Sequence, residues 1–131
     1  MTVDSDPFAP EAYERWGHTS EYAESRRRVS SYSPSDWERI HAAAAELEAR
    51  LGAACAAGVD PASEAAMDLA EEHRQAICVT YYECPPAMHH ALGEMYVEDE
   101  RFAARYEAVA PGLTPWLRAA IAANTARHSP R

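Results

Sequence analysis

The chain has no lysine: all 12 of its cationic side chains are arginines, set against 21 Asp and Glu, and the net charge is −9. A nucleic-acid-binding domain needs a basic face to meet phosphate, so this balance argues against direct nucleic-acid binding. No apolar run approaches the ~20 residues that span a bilayer, so no membrane partner is expected. Residues 1–10 hold two Asp and no cationic side chain, so no signal peptide is expected there. Cysteine is sparse and odd in number (Cys55, Cys78, Cys84), without metal-ligand spacing. That pattern predicts a reducing cytoplasm and no disulfide framework. Large aliphatic side chains are scarce too. Leu, Ile, Val and Phe together make only 17 of 131 residues, whereas alanine alone supplies 28. At that level, with high net charge, part of a chain is short of driving force for folding.

What is present reads as helix. From Trp37 the apolar positions run Trp37, Ile40, Ala44, Leu47, Leu51 and Ala54, one helical face. Ser33 is placed to cap it, Pro34 suits its first turn, and Gly58 stops it, so the spacing predicts a helix over 34–57. Asp60-Pro61 opens a second, with the stripe Ala66, Leu69, Ala70, His73, Ile77 and Tyr81, ending before Cys84 because Pro85-Pro86 follow. A third starts at Pro86 and bears Met88, Leu92, Met95 and Tyr96. Asp99 caps a fourth with Phe102, Tyr106 and Val109. After Pro111-Gly112 a fifth carries Leu113, Trp116, Leu117, Ala120, Ile121 and Asn124, and residues 127–131 are expected to fray. Residues 2–35 differ: they lack Leu, Ile and Met altogether. Short helices over 11–16 and 20–31, hinged at Gly17, are marginal without more apolar surface. The expected organisation is thus a flexible stretch over 1–10, a mobile lid over 11–35, an all-α core of about five helices over 36–127, and a frayed 128–131.

Few residues carry chemistry. His73 sits on an apolar stripe, where a ligand contact, a general base or a haem ligand competes with a core histidine bonded to a neighbour. His89 and His90 cannot both face inward. No histidine or carboxylate spacing makes a metal site, and none is expected. Cys84 precedes a helix N-terminus, which lowers a thiol's pKa, with Glu83 opposing. It is expected to be the most accessible of the three thiols, because the proline pair keeps it off the helix. No catalytic motif is present, so a binding module is favoured over an enzyme. Trp37, His73, Ile77, Tyr81, Met88, Met95, Tyr96, Phe102 and Trp116 are expected to face one interior, part core and part cavity. Its aromatic faces suit a flat heteroaromatic ligand, and its Met side chains adapt to irregular shapes.

Residues 16–22 (Trp-Gly-His-Thr-Ser-Glu-Tyr), 37–40 (Trp-Glu-Arg-Ile) and Glu72-His73-Arg74 resemble the TipAS domain. So does the ordered run through Cys84, Met88-His89, 92–97 (Leu-Gly-Glu-Met-Tyr-Val), Asp99, Arg101-Phe102, Pro111-Gly112-Leu113 and Ala120-Ile121. TipAS is the antibiotic-recognition domain of certain MerR-family regulators, and the resemblance spans about 11–127. It implies a globin-like helical bundle without haem and without any other cofactor. It also implies that the partner is a bulky, multiring, peptide-like antibiotic such as a thiopeptide. The N-terminal helices would close over the ligand, so Tyr13, Trp16 and Tyr22 join the expected contacts. Cys84 becomes the candidate for covalent attachment to a dehydroalanine. His18 stands where the family usually has an acidic residue, and Ala87 where it often has Glu. The family's regulators carry an N-terminal winged helix-turn-helix, and its absence here reads as a stand-alone domain. Sequestration conferring antibiotic resistance is the leading function. The alternative is the effector half of a transcription activator, and a remote one is an antibiotic-modifying enzyme. No sequence feature assigns an oligomeric state.

Overall fold

The computed structural model describes residues 20–128 and contains six helices, with no strand among those residues. They are α1 (Ser20–Val29), α2 (Pro34–Ala56), α3 (Glu64–Thr80), α4 (Pro86–Glu98), α5 (Glu100–Val109) and α6 (Leu113–His128). The expected helix over 11–16 lies outside the described residues.

The capping residues act as the sequence predicts at α2. The Ser33 hydroxyl accepts from the Asp36 N–H, and the Asp36 carboxylate accepts from the Ser33 N–H, closing a capping box ahead of Pro34. Gly58 takes φ +76°, the left-handed turn that ends this helix at little steric cost. The next helix starts later than expected, at Glu64 rather than beside Asp60-Pro61. Asp60 instead folds a turn, accepting from the Ala62 and Ser63 N–H groups, and Ser63 becomes the cap. α6 extends through His128, where Arg127 pairs with Asp68 and bonds Asn124, and His128 reaches Glu71; residues 129–131 lie outside the described residues.

The core lies between α4, α5 and α6, with α2 and α3 laid against it. Leu51, Leu113, Leu117, Ile121 and His89 are its largest fully buried members, and Leu92, Met95, Tyr96, Tyr106 and Trp116 complete it. Its close approaches use small residues: a Cβ on Gly52 would meet Val109 Cγ1 at 2.8 Å, so any larger residue there would push the Val109 side chain aside where α2 lies against the end of α5. α1 contributes little to this core and is tied on at its C-terminal end. Arg28, itself held by Glu24, donates to the Cys78 carbonyl, and the Tyr32 hydroxyl donates to the Thr80 carbonyl.

Candidate functional site

The amphipathic stripes of α2 and α3 face each other across part of the fold. They meet only in part. A cleft of about 1000 Å³ opens between them, its floor at His73. Its apolar walls are Ile40, Ala43, Ala44 and Leu47 on α2, and Ala76, Ile77 and Tyr81 opposite. Alanine leaves the space between these walls unfilled: a single methyl group stops short of the volume that Leu or Ile would occupy. The cleft is bridged at both ends. At one, Tyr32 bonds Thr80. At the other, Arg50 of α2 donates to both carboxylate oxygens of Glu72 on α3, at 2.8 and 3.0 Å, while also holding Glu46 on its own helix. The remaining rim charges are paired as well, Arg39 with Asp36 and Arg105 with Glu48.

Beneath the cleft runs a chain of buried polar groups. His73 Nδ1 and His89 Nε2 share a hydrogen bond of 2.8 Å, and His73 Nε2 lies 3.2 Å from the Tyr106 hydroxyl. The His73 ring also meets Tyr96 edge-on and stacks against His89. Burial lowers the pKa of His73 to about 4. His89 falls to about 3 through burial, the neighbouring His73 and the Arg74 charge. Both rings are therefore neutral near pH 7, and each carries one N–H. Among the described residues, His89 Nδ1 has no hydrogen-bond partner. An orphan N–H is costlier than an unfilled lone pair, so the favoured tautomer has His89 Nε2 donating to His73, and His73 donating to Tyr106. Burial raises the pKa of Tyr96 and Tyr106, which keeps both hydroxyls protonated.

Glu71 backs the same wall. It accepts from Arg74, Gln75, Asn124 and His128, which joins α3 to the end of α6. The Arg74 hydrogen bond, foremost, holds its carboxyl well below the usual carboxylate range.

The nine side chains expected in one interior divide three ways. His73, Ile77 and Tyr81 line the cleft. Met95, Tyr96 and Trp116 are core, with Met88 and Phe102 packed against it, and the Trp116 indole donates to the Val59 carbonyl. Trp37 is buried apart from both, edge-on to Tyr32 and tilted against His41, its indole N–H without a partner among the described residues. So none of the nine is exposed, and the interior expected to be part core and part cavity divides: Met and most of the aromatics pack in the core, while alanines, Ile40, Leu47, Ile77, Tyr81 and paired charges line the cleft. Tyr13 and Trp16 lie outside the described residues, as does the side chain of Tyr22.

The expectation for Cys84 is also corrected. It is only 1% exposed, whereas Cys55 and Cys78 are half-buried. Burial, with Cys78 adding to it, pushes its thiol up to about 12 despite the Arg74 charge. The proline pair does hold Cys84 off the helix, but it turns the side chain inward. The Cys84 N–H donates to Cys78 Sγ, and its carbonyl accepts from Arg74. The helix that follows begins with Pro85 and Pro86, which carry no N–H to stabilise a thiolate. Sequence reasoning missed Arg50, Glu72, Ala43, Ala76, Tyr106 and the inward choice of His89 over His90. Glu46 and Arg50, four apart, were the one legible signal among them.

Residues 8–124 match the TipAS antibiotic-recognition domain. The chain belongs to that family. It is 47% identical over 127 residues to the HTH-type transcriptional activator TipA of Streptomyces coelicolor, a match covering 97% of this chain and 50% of TipA. The chain thus spans about half the length of that activator. Among solved structures it is similar to TipAS of Streptomyces lividans in complex with nosiheptide, with a TM-score of 0.87 and 47% identity, over 97% of this chain and 89% of TipAS. It is also similar to the antibiotic-binding domain of a TipA-class multidrug resistance transcriptional regulator, with a TM-score of 0.65 and 50% identity, over 72% of this chain and 100% of that domain. The fold is accordingly the globin-like helical fold of TipAS. Among the described residues, no helix is long and apolar enough to cross a membrane.

Proposed function

We propose that this chain binds a bulky, multiring, peptide-like antibiotic of the thiopeptide class in the cleft between α2 and α3, and acts by holding the drug out of solution. The observation that carries this reading is the likeness, over nearly the whole chain, to a TipAS domain solved with nosiheptide bound. The cleft supports it: its volume of about 1000 Å³ reaches the upper range for small-molecule sites. Ile40, Leu47, Ile77 and Tyr81 offer apolar contact area for ring systems. Residues 11–35 act as a lid in this reading, with Tyr13, Trp16 and Tyr22 adding contact area that the aliphatic-poor segment lacks by itself.

The reading is of a binding protein rather than an enzyme. Every nitrogen of His73 is engaged in the core, and Cys84 is buried and strongly disfavours its thiolate. Covalent capture at Cys84 therefore requires the loop ahead of α4 to open first, and non-covalent binding is the expected mode. We take the protein to act in the cytoplasm, where three unpaired cysteines stay reduced. A second reading, the effector half of a transcription regulator, is favoured by the match to half of the activator TipA.

Thermal unfolding with nosiheptide tests the first reading. A ligand that binds only the folded state adds about 2.7 kcal/mol at a hundredfold excess over Kd. A raised unfolding temperature with unchanged intact mass is expected, and no shift at any excess would overturn the reading. Promoter activation by nosiheptide in cells that carry this chain joined to a DNA-binding domain, and none by the chain alone, would favour the second.

A further inference from the structure

We propose that Arg50 is a specificity-determining residue: it exchanges its hold on Glu72 for the acceptor oxygens or azole nitrogens of a ligand reaching that end of the cleft. This rests on the reading of the cleft as the antibiotic site.

The two ends of the cleft are closed in different ways. At the Tyr32 end the acceptors are backbone carbonyls near the end of α3, taken by Tyr32 and by Arg28. Those carbonyls cannot turn away without unwinding the helix. At the Arg50 end the bridge is side chain to side chain, between groups that are each about half exposed. Exposed ion pairs contribute little to stability, because water replaces either partner readily. This is the end that can open.

Donor arithmetic says what opening offers. A guanidinium has five N–H groups. Nε and one Nη2 hydrogen serve Glu46, while one Nη1 and the other Nη2 hydrogen serve Glu72. One Nη1 hydrogen is left over. If Arg50 lets go of Glu72 and keeps Glu46, it stays anchored to α2 and gains two more donors, making three, two of which face across the gap toward α3. Glu46 lies four residues before Arg50 on the same helix, so the anchor survives a change in the α2–α3 spacing. A planar fork of this kind suits carbonyl oxygens and azole nitrogens, the acceptors of an uncharged peptide-like macrocycle. Glu72 then competes with the ligand's acceptors for the donors of Arg50, rather than bracing the ligand.

That competition gives the two partners opposite signs. With the full chain and nosiheptide as the probe, R50M keeps the aliphatic stem and is expected to weaken binding about tenfold, the loss of one charge-assisted hydrogen bond. E72Q, which weakens the grip on Arg50, is expected to tighten binding about threefold, the fold-change equivalent to freeing an exposed ion pair. The double variant should bind as R50M does. R50K, which retains charge without the fork, should fall between wild type and R50M, and covers the case in which R50M folds poorly. A structural brace predicts that E72Q and R50M weaken binding alike. E72Q binding equal to or weaker than wild type, or R50M and R50K binding like wild type, overturns the proposal. If the wild type fails to bind nosiheptide, the reading of the cleft falls, and the role of Arg50 falls with it.

Discussion

The two sides of α3 are built from different materials. Toward α4–α6 it meets a close-packed interior in which Leu113, Leu117, Ala120 and Ile121 have no exposed surface. Toward α2 it meets alanines, a cleft and an ion pair across the gap. Of the few large aliphatic residues, Leu92, Leu113, Leu117 and Ile121 lie on the first side, whereas Ile40, Leu47 and Ile77 border the cleft. A binding surface on a small domain has to be kept from collapsing, and alanine with self-paired charge achieves that without leaving a sticky exposed face. The stability of the fold and the shape of the cleft are therefore separable.

Truncation should break the separation most visibly if it is false. Leu117→Ala, deep under α4, is expected to cost about 2–5 kcal/mol of stability, read by denaturant unfolding. Ala44→Leu, on the cleft wall, is expected to leave stability within about 0.5 kcal/mol while weakening nosiheptide by tenfold or more, read by calorimetry. A large loss of stability at Ala44 would show that the cleft is a strained part of the core.

Acid should strike the interface between the two sides. His73 and His89 are neutral in the fold, with pKa values of about 4 and about 3, against 6.5 for the free ring. The unfolded chain binds more protons throughout that interval, so stability is full above pH 6.5 and falls as pH drops toward 4. His73 alone accounts for a loss on the order of 3 kcal/mol. Below pH 4.5 Glu71, whose carboxyl is lowered in the fold by Arg74, adds to the loss as it protonates. His89→Leu should flatten the slope of stability against pH between 6.5 and 4 by about 1.4 kcal/mol per unit, even though it lowers the plateau. An unchanged slope would show that the rings are charged or solvated in the native state.

Thiol labelling gives a smaller, graded contrast. Cys55 and Cys78 should alkylate before Cys84 in the native protein, and all three should react alike once it is unfolded. Peptide mapping after a brief exposure decides it. The smallest effect concerns the bridge itself: E72Q and R50M should each change stability by less than about 1 kcal/mol, because the pair is half exposed.

The sequence spoke clearly about breaks and caps, and less about gaps. Ser33, Pro34, Gly58, Asp99 and Gly112 mark boundaries through local chemistry, and the expected ends fell close to the observed ones. Asp60 misled because an Asp-Pro pair opens a turn as readily as a helix. The burial stripe of α6 was legible for the same local reason: every one of its expected inward residues is buried. The cleft was not legible, because it arises where two stripes stand apart, and the distance between helices is set by elements distant in sequence. His73 and His89 are sixteen residues apart on different helices, so no spacing announced their bond. Cys84 was misjudged from its place in a loop, since a loop position says nothing of which way a side chain turns.

The carboxylate of Glu71 acts as a rivet. It joins the helix that floors the cleft to Asn124 and His128, at the extreme end of α6. In protein engineering terms, that end is not a neutral handle. A tag, fluorophore or fusion partner joined after residue 128 adds its load beside the rivet, whereas trimming back to residue 123 would strip Glu71 of two of its four partners and loosen the floor of the cleft from behind.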